Sequence, residues 1–177
     1  MIYFVRHGES EANVRNVFAG QRDNSNLTEK GREQAKSVGE KLAAENIKID
    51  TVVASPLNRT FNTAKIIAEI IGFPEDQIKI DKRLLEYDTG SLSGMPSRNI
   101  LSSELVSAPE AENPIKFRLR IESILNECKD PGKNVLLISH AGVGRMIEAT
   151  KAKSDPSEFY DFPSYPNGSI VKLDWVS

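Results

Sequence analysis

Both histidines of this 177-residue chain follow a short apolar segment. Ile2–Val5 runs directly into Arg6 and His7, and Val135–Ile138 is followed one residue later by His140. Each histidine has a glycine within the next two residues. A neutral imidazole is a nucleophile and a base, and an arginine binds anions. The two segment ends therefore suggest chemistry on an anionic group.

A third apolar segment, Thr51–Ala54, leads into Ser55, Pro56 and Arg59. Serine and proline suit the first positions of a helix, which explains Ser55 and Pro56 without a function. The same arrangement directs free helical N–H groups toward any anion at that point. Arg59 falls in the first turn, where the helix dipole disfavours a cation. This small cost indicates that Arg59 binds an anionic ligand.

The elements that carry these residues alternate between strands and helices. The apolar patterns predict strands at Ile2–Val5, Thr51–Ala54, Ile78–Ile80, Val135–Ile138 and Ile170–Trp175, and helices at Glu29–Asn46, Leu57–Ile71, Phe117–Cys128 and Val143–Thr150. The alternation predicts an α/β fold, a three-layer α/β/α sandwich with a mostly parallel sheet and helices on both faces. Ligands bind beyond the carboxyl ends of such strands. We therefore expect both histidines, Arg6 and Arg59 at one edge of the sheet.

Length and composition narrow the class of protein. The length predicts a single domain over residues 1–177, with a Pro- and Ser-rich lid or specificity excursion at 91–114. The net charge of −2, without a basic stripe, argues against nucleic acid as a partner. Without a membrane-length apolar run or a signal peptide, we expect a cytoplasmic protein and no membrane partner. Cys128 is the only cysteine, and no zinc-ligand spacing occurs.

Motifs along most of the chain resemble the histidine phosphatase superfamily, also called the phosphoglycerate mutase-like family. VRHGES with Asn13 resembles its opening signature, and RHG alone would be a weak signal. The other matching blocks, in the family's order, are Gly20 with Asp23, LTEKGREQA (27–35), SPLNRTFNTA (55–64), LLEYDTGSLSG (84–94), ISHAGV (138–143) and PNGSI (166–170).

The resemblance implies phosphomonoester hydrolysis through a covalent phosphohistidine, with a small phosphorylated metabolite as substrate. The implied catalytic residues are His7 as nucleophile, Arg6, Arg59 and His140 as ligands of the phosphoryl oxygens, and Glu86 as the proton donor. Substrate contacts are implied for Asn13, Gly20, Gln21, Gly8 and Ala141. No metal or other cofactor is expected, and activity should favour mildly acidic pH. From the residues alone, Glu86 would be a solvated acid near the end of another strand.

Several alternatives remain open. A bisphosphoglycerate-dependent mutase is the second candidate. It ranks below the hydrolase because Glu86 is followed by Tyr-Asp-Thr-Gly instead of the mutases' Arg-His-Tyr-Gly. Only Arg98 in 91–114, then Arg118 and Arg120, would add cations for a second anionic group.

A silent phospho-ligand binder would be expected to lack one of the catalytic residues. A dinucleotide site at Gly142-Val143-Gly144 fails because Ile147 replaces the third glycine. The family's small phosphohistidine phosphatases generally lack an acid like Glu86. Ser93 replaces an acidic residue that is frequent in the family's hydrolases, so the physiological substrate stays open. The sequence also does not distinguish a monomer from a homodimer.

Overall fold

The structure, a computed structural model, describes residues 1–175. Within them a single sheet contains β1 (Ile2–Arg6), β2 (Thr51–Ala54), β3 (Lys79–Ile80), β4 (Val135–Ser139) and β5 (Ile170–Leu173), in the order β3-β2-β4-β1-β5. The first four strands pair in parallel, and only β5 runs antiparallel, beside β1. The mostly parallel sheet is confirmed. The last strand ends two residues earlier than the predicted Trp175.

Helices cover both faces of this sheet. The α-helices are α1 (Glu11–Arg15), α2 (Glu29–Ala44), α3 (Asn58–Ile71), α4 (Ser102–Ser107), α5 (Pro114–Glu127) and α6 (Ala141–Lys151). On one face α2 and α3 bury their apolar stripes against alternate strand residues such as Val5 and Val52. On the other, α5 and α6 pack against the intervening residues, such as Phe4 and Leu137. The α/β/α sandwich is therefore confirmed.

The central strands β1 and β4 bring the two histidines together. Arg6 is in register with Ser139, and the His7 N–H donates to the Ser139 carbonyl at 3.0 Å. All five residues of β4 are buried, because helices cover it on both faces. Each histidine follows the last residue of its strand, so both lie at the carboxyl edge of the sheet.

The segment 91–114 lies mostly at the surface and contributes one short helix to the site. It contains α4, whose Leu105 is buried in the core and lines the cavity described below. Helix α4 packs against the 3₁₀ helix Pro156–Asp161. One polar stretch thus supplies part of the cavity wall. Among the helices of residues 1–175, none is long and apolar enough to cross a membrane.

Candidate active site

A cavity of about 190 Å³ opens where β1, β2 and β4 end. It is lined by predicted site residues from these three ends and from two loops, Arg6, His7, Asn13, Gly20, Arg59, Glu86 and Ala141. His140 is buried against His7, with 5.2 Å between the ring centroids. Gly8, Gln21 and His140 are not among the lining residues. The structure therefore brings the expected nucleophile, arginines and acid to one place.

Backbone contacts fix the tautomer of His7. Its Nδ1 lies 2.6 Å from the Gly8 carbonyl oxygen, which can only accept a hydrogen bond. Nδ1 must therefore carry the proton, and Nε2 keeps its lone pair. Burial lowers the pKa of His7 well below 6.5, and the charges of Arg59 and Arg6 lower it further. His7 is thus held as a neutral nucleophile, with burial as the main cause.

His140 presents a second buried imidazole with one unused nitrogen. Its Nε2 is 2.8 Å from the Ser55 hydroxyl, while its Nδ1 has no partner within residues 1–175. Burial also lowers the pKa of His140 well below 6.5, with smaller effects from Arg59 and His7. The expected helix-capping role of Ser55 is wrong, because Leu57 is the N-cap of α3. The serine hydroxyl orients His140 instead.

The two buried histidines predict a loss of stability in mild acid. Their pKa values are lowered in the folded protein, so their stabilising effect is complete above the unfolded value of about 6.5 and is lost as pH falls below it. Between pH 6.5 and 5.5 we expect the free energy of unfolding to drop by about 1 kcal/mol for each histidine. Urea unfolding in phosphate-free buffer measures this. A His7→Gln variant should keep about half of the pH dependence, and stability that is flat over this range would contradict the prediction.

Two arginines place positive charge in the cavity without a counter-ion. Arg6 donates from Nη1 to the Tyr165 carbonyl at 2.6 Å. Arg59, only 1% exposed, donates to the carbonyls of Asp23 at 2.7 Å and Gly20 at 3.0 Å. Neither forms an ion pair with a carboxylate in the described part of the chain. Burial lowers the pKa of both guanidinium groups, and the nearby charge of Glu86 opposes this shift. Such a pair favours an anion between them.

The Glu86 side chain lies opposite these cations and is held by backbone amides. Its carboxylate accepts from the Gly142 N–H, 3.0 and 3.2 Å from the two oxygens, and from the Tyr87 N–H at 2.9 Å. The predicted strand before Glu86 is wrong. Lys82–Leu84 forms one turn of 3₁₀ helix, capped by the Asp81 side chain, and a loop follows. The carbonyls that would pair with a neighbouring strand bind side chains instead.

Asn13 and Gln21 act partly as supports of the site. The Asn13 Oδ1 accepts from the Ser10 N–H at 3.0 Å and from Asn167 Nδ2 at 3.1 Å. Its own Nδ2 donates to none of residues 1–175, and Asn13 lines the cavity. Gln21 Nε2 donates to the Glu86 carbonyl at 2.9 Å. Gln21 is therefore a support of the acid loop, whereas Asn13 keeps one donor for a ligand.

Close packing against α2 requires a glycine at position 8, which the sequence did not indicate. A Cβ at this position would lie 2.1 Å from the Gly31 carbonyl oxygen on α2, and a Cβ at Gly31 would lie 2.0 Å from the Glu9 carbonyl oxygen. Gly8 also donates its N–H to Thr63 Oγ1 at 3.1 Å. The expected close approach of the Gly8 backbone to a phosphate gains no support from this geometry. Gly8 lets the loop after His7 pack on α2.

We expect Gly8→Ala to lower the free energy of unfolding by about 3 kcal/mol, since rigid backbone must move to admit the methyl group. Thermal or urea unfolding measures the change. The control is Gly72→Ala, where the added Cβ meets no atom within 4 Å and only the positive φ of 69° is strained. That variant should cost about 1–2 kcal/mol. Equal losses for the two variants would contradict the packing argument.

Arg145 and Thr89 are among the cavity residues that the sequence analysis did not predict. Arg145 lines the cavity, stacks over Tyr160 at 4.5 Å from the ring centroid, and donates to the carbonyls of Tyr160 and Phe162. It lies four residues after Ala141 on α6, and this helical spacing could have revealed it. Thr89 is 4% exposed, and its hydroxyl has no partner in the described chain. No sequence pattern marked Thr89.

The three arginines that could have bound the second anionic group of a mutase substrate lie outside the cavity. Arg98, Arg118 and Arg120 do not line the cavity. Arg118 donates to the Ser154 carbonyl, and Arg120 to carbonyls of the loop before and at Glu86. Within residues 1–175 there is also no group of three or more histidine, cysteine or acidic side chains that could hold a metal ion. Arg6, Arg59 and Arg145 therefore supply the positive charge of the cavity wall.

Comparison with known proteins finds both mutases and phosphatases. A 2,3-bisphosphoglycerate-dependent phosphoglycerate mutase of Mesorhizobium japonicum is 40% identical over 94 residues, which are 53% of this chain and 45% of the mutase. This match thus spans about half of that relative's length. An Enterobacter protein named "Probable phosphoglycerate mutase GpmB" is 36% identical over 78% of this chain and 68% of its own.

The solved structures show the same architecture. Bacillus stearothermophilus YhfR superposes with a TM-score of 0.80, at 25% identity, over 98% of this chain and 91% of its own. The mycobacterial glucosyl-3-phosphoglycerate phosphatase has a TM-score of 0.77 at 24% identity, over 96% of this chain and 90% of its own. At that identity the likeness shows the fold alone.

The family profile gives the widest match. The profile of the histidine phosphatase superfamily (branch 1) matches residues 2–177. It spans all three strand ends that form the cavity and the loop that carries Glu86. The chain belongs to branch 1 of the histidine phosphatase superfamily.

Proposed function

We propose that the protein is a phosphomonoester hydrolase that transfers the phosphoryl group of a small metabolite to His7 and then to water. One observation carries this proposal: a neutral His7 with a free Nε2 lies beside the partly buried Arg6 and the fully buried Arg59, and neither arginine has a counter-ion in the described part of the chain. A dianionic phosphoryl group supplies that counter-ion. Phosphoryl transfer requires mainly positioning and charge stabilisation from the protein. The arginines provide both, so the proposed reaction needs no metal.

In the first step, the Nε2 lone pair of His7 attacks phosphorus and the ester P–O bond breaks. Arg6 and Arg59 neutralise the equatorial oxygens, and the unused donor groups of Asn13 and His140 add hydrogen bonds. If the Ser55 hydroxyl donates to Nε2 of His140, Nδ1 carries the proton for this purpose. The leaving alkoxide takes a proton from the Glu86 carboxyl group, which becomes a carboxylate.

In the second step, the Glu86 carboxylate removes a proton from a water molecule as the water attacks the phosphohistidine. The N–P bond breaks, inorganic phosphate leaves, and both His7 and Glu86 return to their starting states. The Gly142 and Tyr87 amides hold the carboxylate in place for this step. One acid thus serves both halves of the reaction.

The bisphosphoglycerate-dependent mutase is the second candidate, because a relative at 40% identity bears that name and one at 36% identity is named a probable phosphoglycerate mutase. Against it, the three arginines counted from the sequence lie outside the cavity, and only Arg145 adds charge beyond the two arginines beside His7. The cavity of about 190 Å³ favours a small substrate over nucleic acid or a protein. A silent binder is the third possibility, although nucleophile, arginines and acid are all present.

The test measures phosphate release from a panel of phosphate esters, in excess EDTA. The panel includes p-nitrophenyl phosphate, sugar phosphates and 3-phosphoglycerate, with conversion to 2-phosphoglycerate followed with and without 2,3-bisphosphoglycerate. We expect metal-independent phosphate release that 2,3-bisphosphoglycerate does not stimulate. Faster isomerisation than hydrolysis would establish the mutase instead. Binding of phosphate without turnover of any ester would indicate the silent binder.

A further inference from the structure

Arg120, from outside the cavity, makes several hydrogen bonds to the loop that carries Glu86. Arg120 on α5 donates from Nη1 to the carbonyls of Arg83 at 2.6 Å and Leu85 at 2.7 Å. Its Nη2 donates to the carbonyl of Glu86 itself at 3.0 Å. A single guanidinium thus binds three of four successive carbonyls, in a stretch that forms no strand.

Glu112 fixes the orientation of this guanidinium. Its two carboxylate oxygens accept from Arg120 Nε at 2.7 Å and Nη2 at 2.9 Å, and the two side chains are only 16% and 17% exposed. The Arg120 guanidinium also stacks on Phe117, 4.5 Å from the ring centroid. A bidentate pair in such a shielded place holds a planar group in one orientation.

The backbone of Glu112 binds the other side of the same loop. Its N–H donates to the Asp88 carbonyl at 2.9 Å, and its carbonyl accepts from the Tyr87 hydroxyl. Gln21 contributes one further bond to the Glu86 carbonyl. The loop is therefore held by side chains on both sides of Glu86, which fixes the point from which the Glu86 side chain reaches Gly142.

We propose that Arg120, oriented by Glu112, is a positioning residue that holds Glu86 where it can donate a proton to the leaving group. Arg120 does not line the cavity and touches no reacting atom, so it acts only through the loop. This proposal rests on the proposed function, because Glu86 must be the acid for its position to matter. Displacement of a catalytic group by about 1 Å costs on the order of a hundredfold in rate.

The expected signature depends on the leaving group. A good leaving group, such as p-nitrophenolate, needs little protonation, whereas an alkoxide needs a well-placed acid. Loss of Arg120 should therefore lower kcat for alkyl phosphates by about 10- to 100-fold. It should affect p-nitrophenyl phosphate much less and leave KM nearly unchanged, because Arg6 and Arg59 still bind the phosphoryl group.

The experiment compares Arg120→Met with Arg118→Met on a series of aryl and alkyl phosphates. Arg118 is on the same helix, and its guanidinium donates to the Ser154 carbonyl and not to the acid loop. Arg120→Met should steepen the dependence of kcat on leaving-group pKa, and Arg118→Met should not. Arg120→Lys should restore part of the alkyl phosphate activity. In the Glu86→Gln background, Arg120→Met should cause little further loss.

Equal losses with good and poor leaving groups, or full additivity with Glu86→Gln, would overturn the positioning role. If Arg120→Met does not fold, Glu112→Gln provides the same test. It should also lower kcat more for alkyl phosphates than for p-nitrophenyl phosphate, but by a smaller factor than Arg120→Met. A wild-type protein that releases no phosphate from any ester overturns the proposed function, and this proposal with it. Wild-type hydrolysis without the leaving-group signature overturns this proposal alone.

Discussion

Replacement of His7 by alanine should reduce the hydrolysis of every phosphate ester to the uncatalysed background. The loss should reach about 10⁴-fold or more, because removal of the nucleophile in covalent enzymes costs up to about 10⁶-fold. The second imidazole of the site does not replace it, since the His140 Nε2 is bound to Ser55. Release of p-nitrophenol and of inorganic phosphate from the wild type and His7→Ala measures the effect.

The loss must come from chemistry and not from folding. His7→Ala keeps Arg6 and Arg59, so inorganic phosphate should still raise its melting temperature. The His7→Gln variant, with a side chain of closer size that is no nucleophile, should be equally inactive. Turnover of either variant within tenfold of the wild type would contradict the nucleophilic role of His7.

Substitution of Glu86 by glutamine should lower the rate of hydrolysis more strongly as the pKa of the leaving group rises. Glutamine can accept the Gly142 N–H bond but cannot donate or remove a proton in the same way. Loss of a general acid costs about 10²- to 10⁴-fold. We expect losses in that range for alkyl phosphates, and faster formation than breakdown of phosphohistidine with p-nitrophenyl phosphate. A series of esters with graded leaving-group pKa measures this.

A Gly142→Ala variant tests the position of the Glu86 carboxylate separately from its chemistry. The added Cβ would lie 2.3 Å from Glu86 Oε1, so it should displace the carboxylate while leaving its chemistry intact. The variant should share the selective loss with alkyl phosphates. Equal slowing of good and poor leaving groups by Glu86→Gln would remove Glu86 from the acid role.

The parts of the site that strands carry were predictable from the sequence. A short apolar segment predicts a buried strand, and parallel strands end at one edge of a sheet. This rule alone is enough to bring His7, His140 and Arg59 together. The rigid central pair β1 and β4 then fixes the distance between the two histidines.

The parts that depend on side chains from distant segments were not predictable. The apolar Leu84 and Leu85 suggest a strand that ends at Glu86, but Arg120 binds the carbonyls that a strand would have paired. Local spacing favours a helix-capping role for Ser55, whereas its hydroxyl binds His140 from across the sheet. Such partners are 30 or more residues away, where sequence periodicity carries no information.

The covalent intermediate is the most direct test of this account. Glu86→Gln would be mixed with p-nitrophenyl phosphate, quenched in alkali within the first turnover, and examined by mass spectrometry of its peptides. We predict that one phosphoryl group appears on His7 in step with the first equivalent of p-nitrophenol, and that acid removes it. A first turnover that leaves His7 unmodified, or a phosphoryl group on any other residue, would contradict the phosphohistidine mechanism.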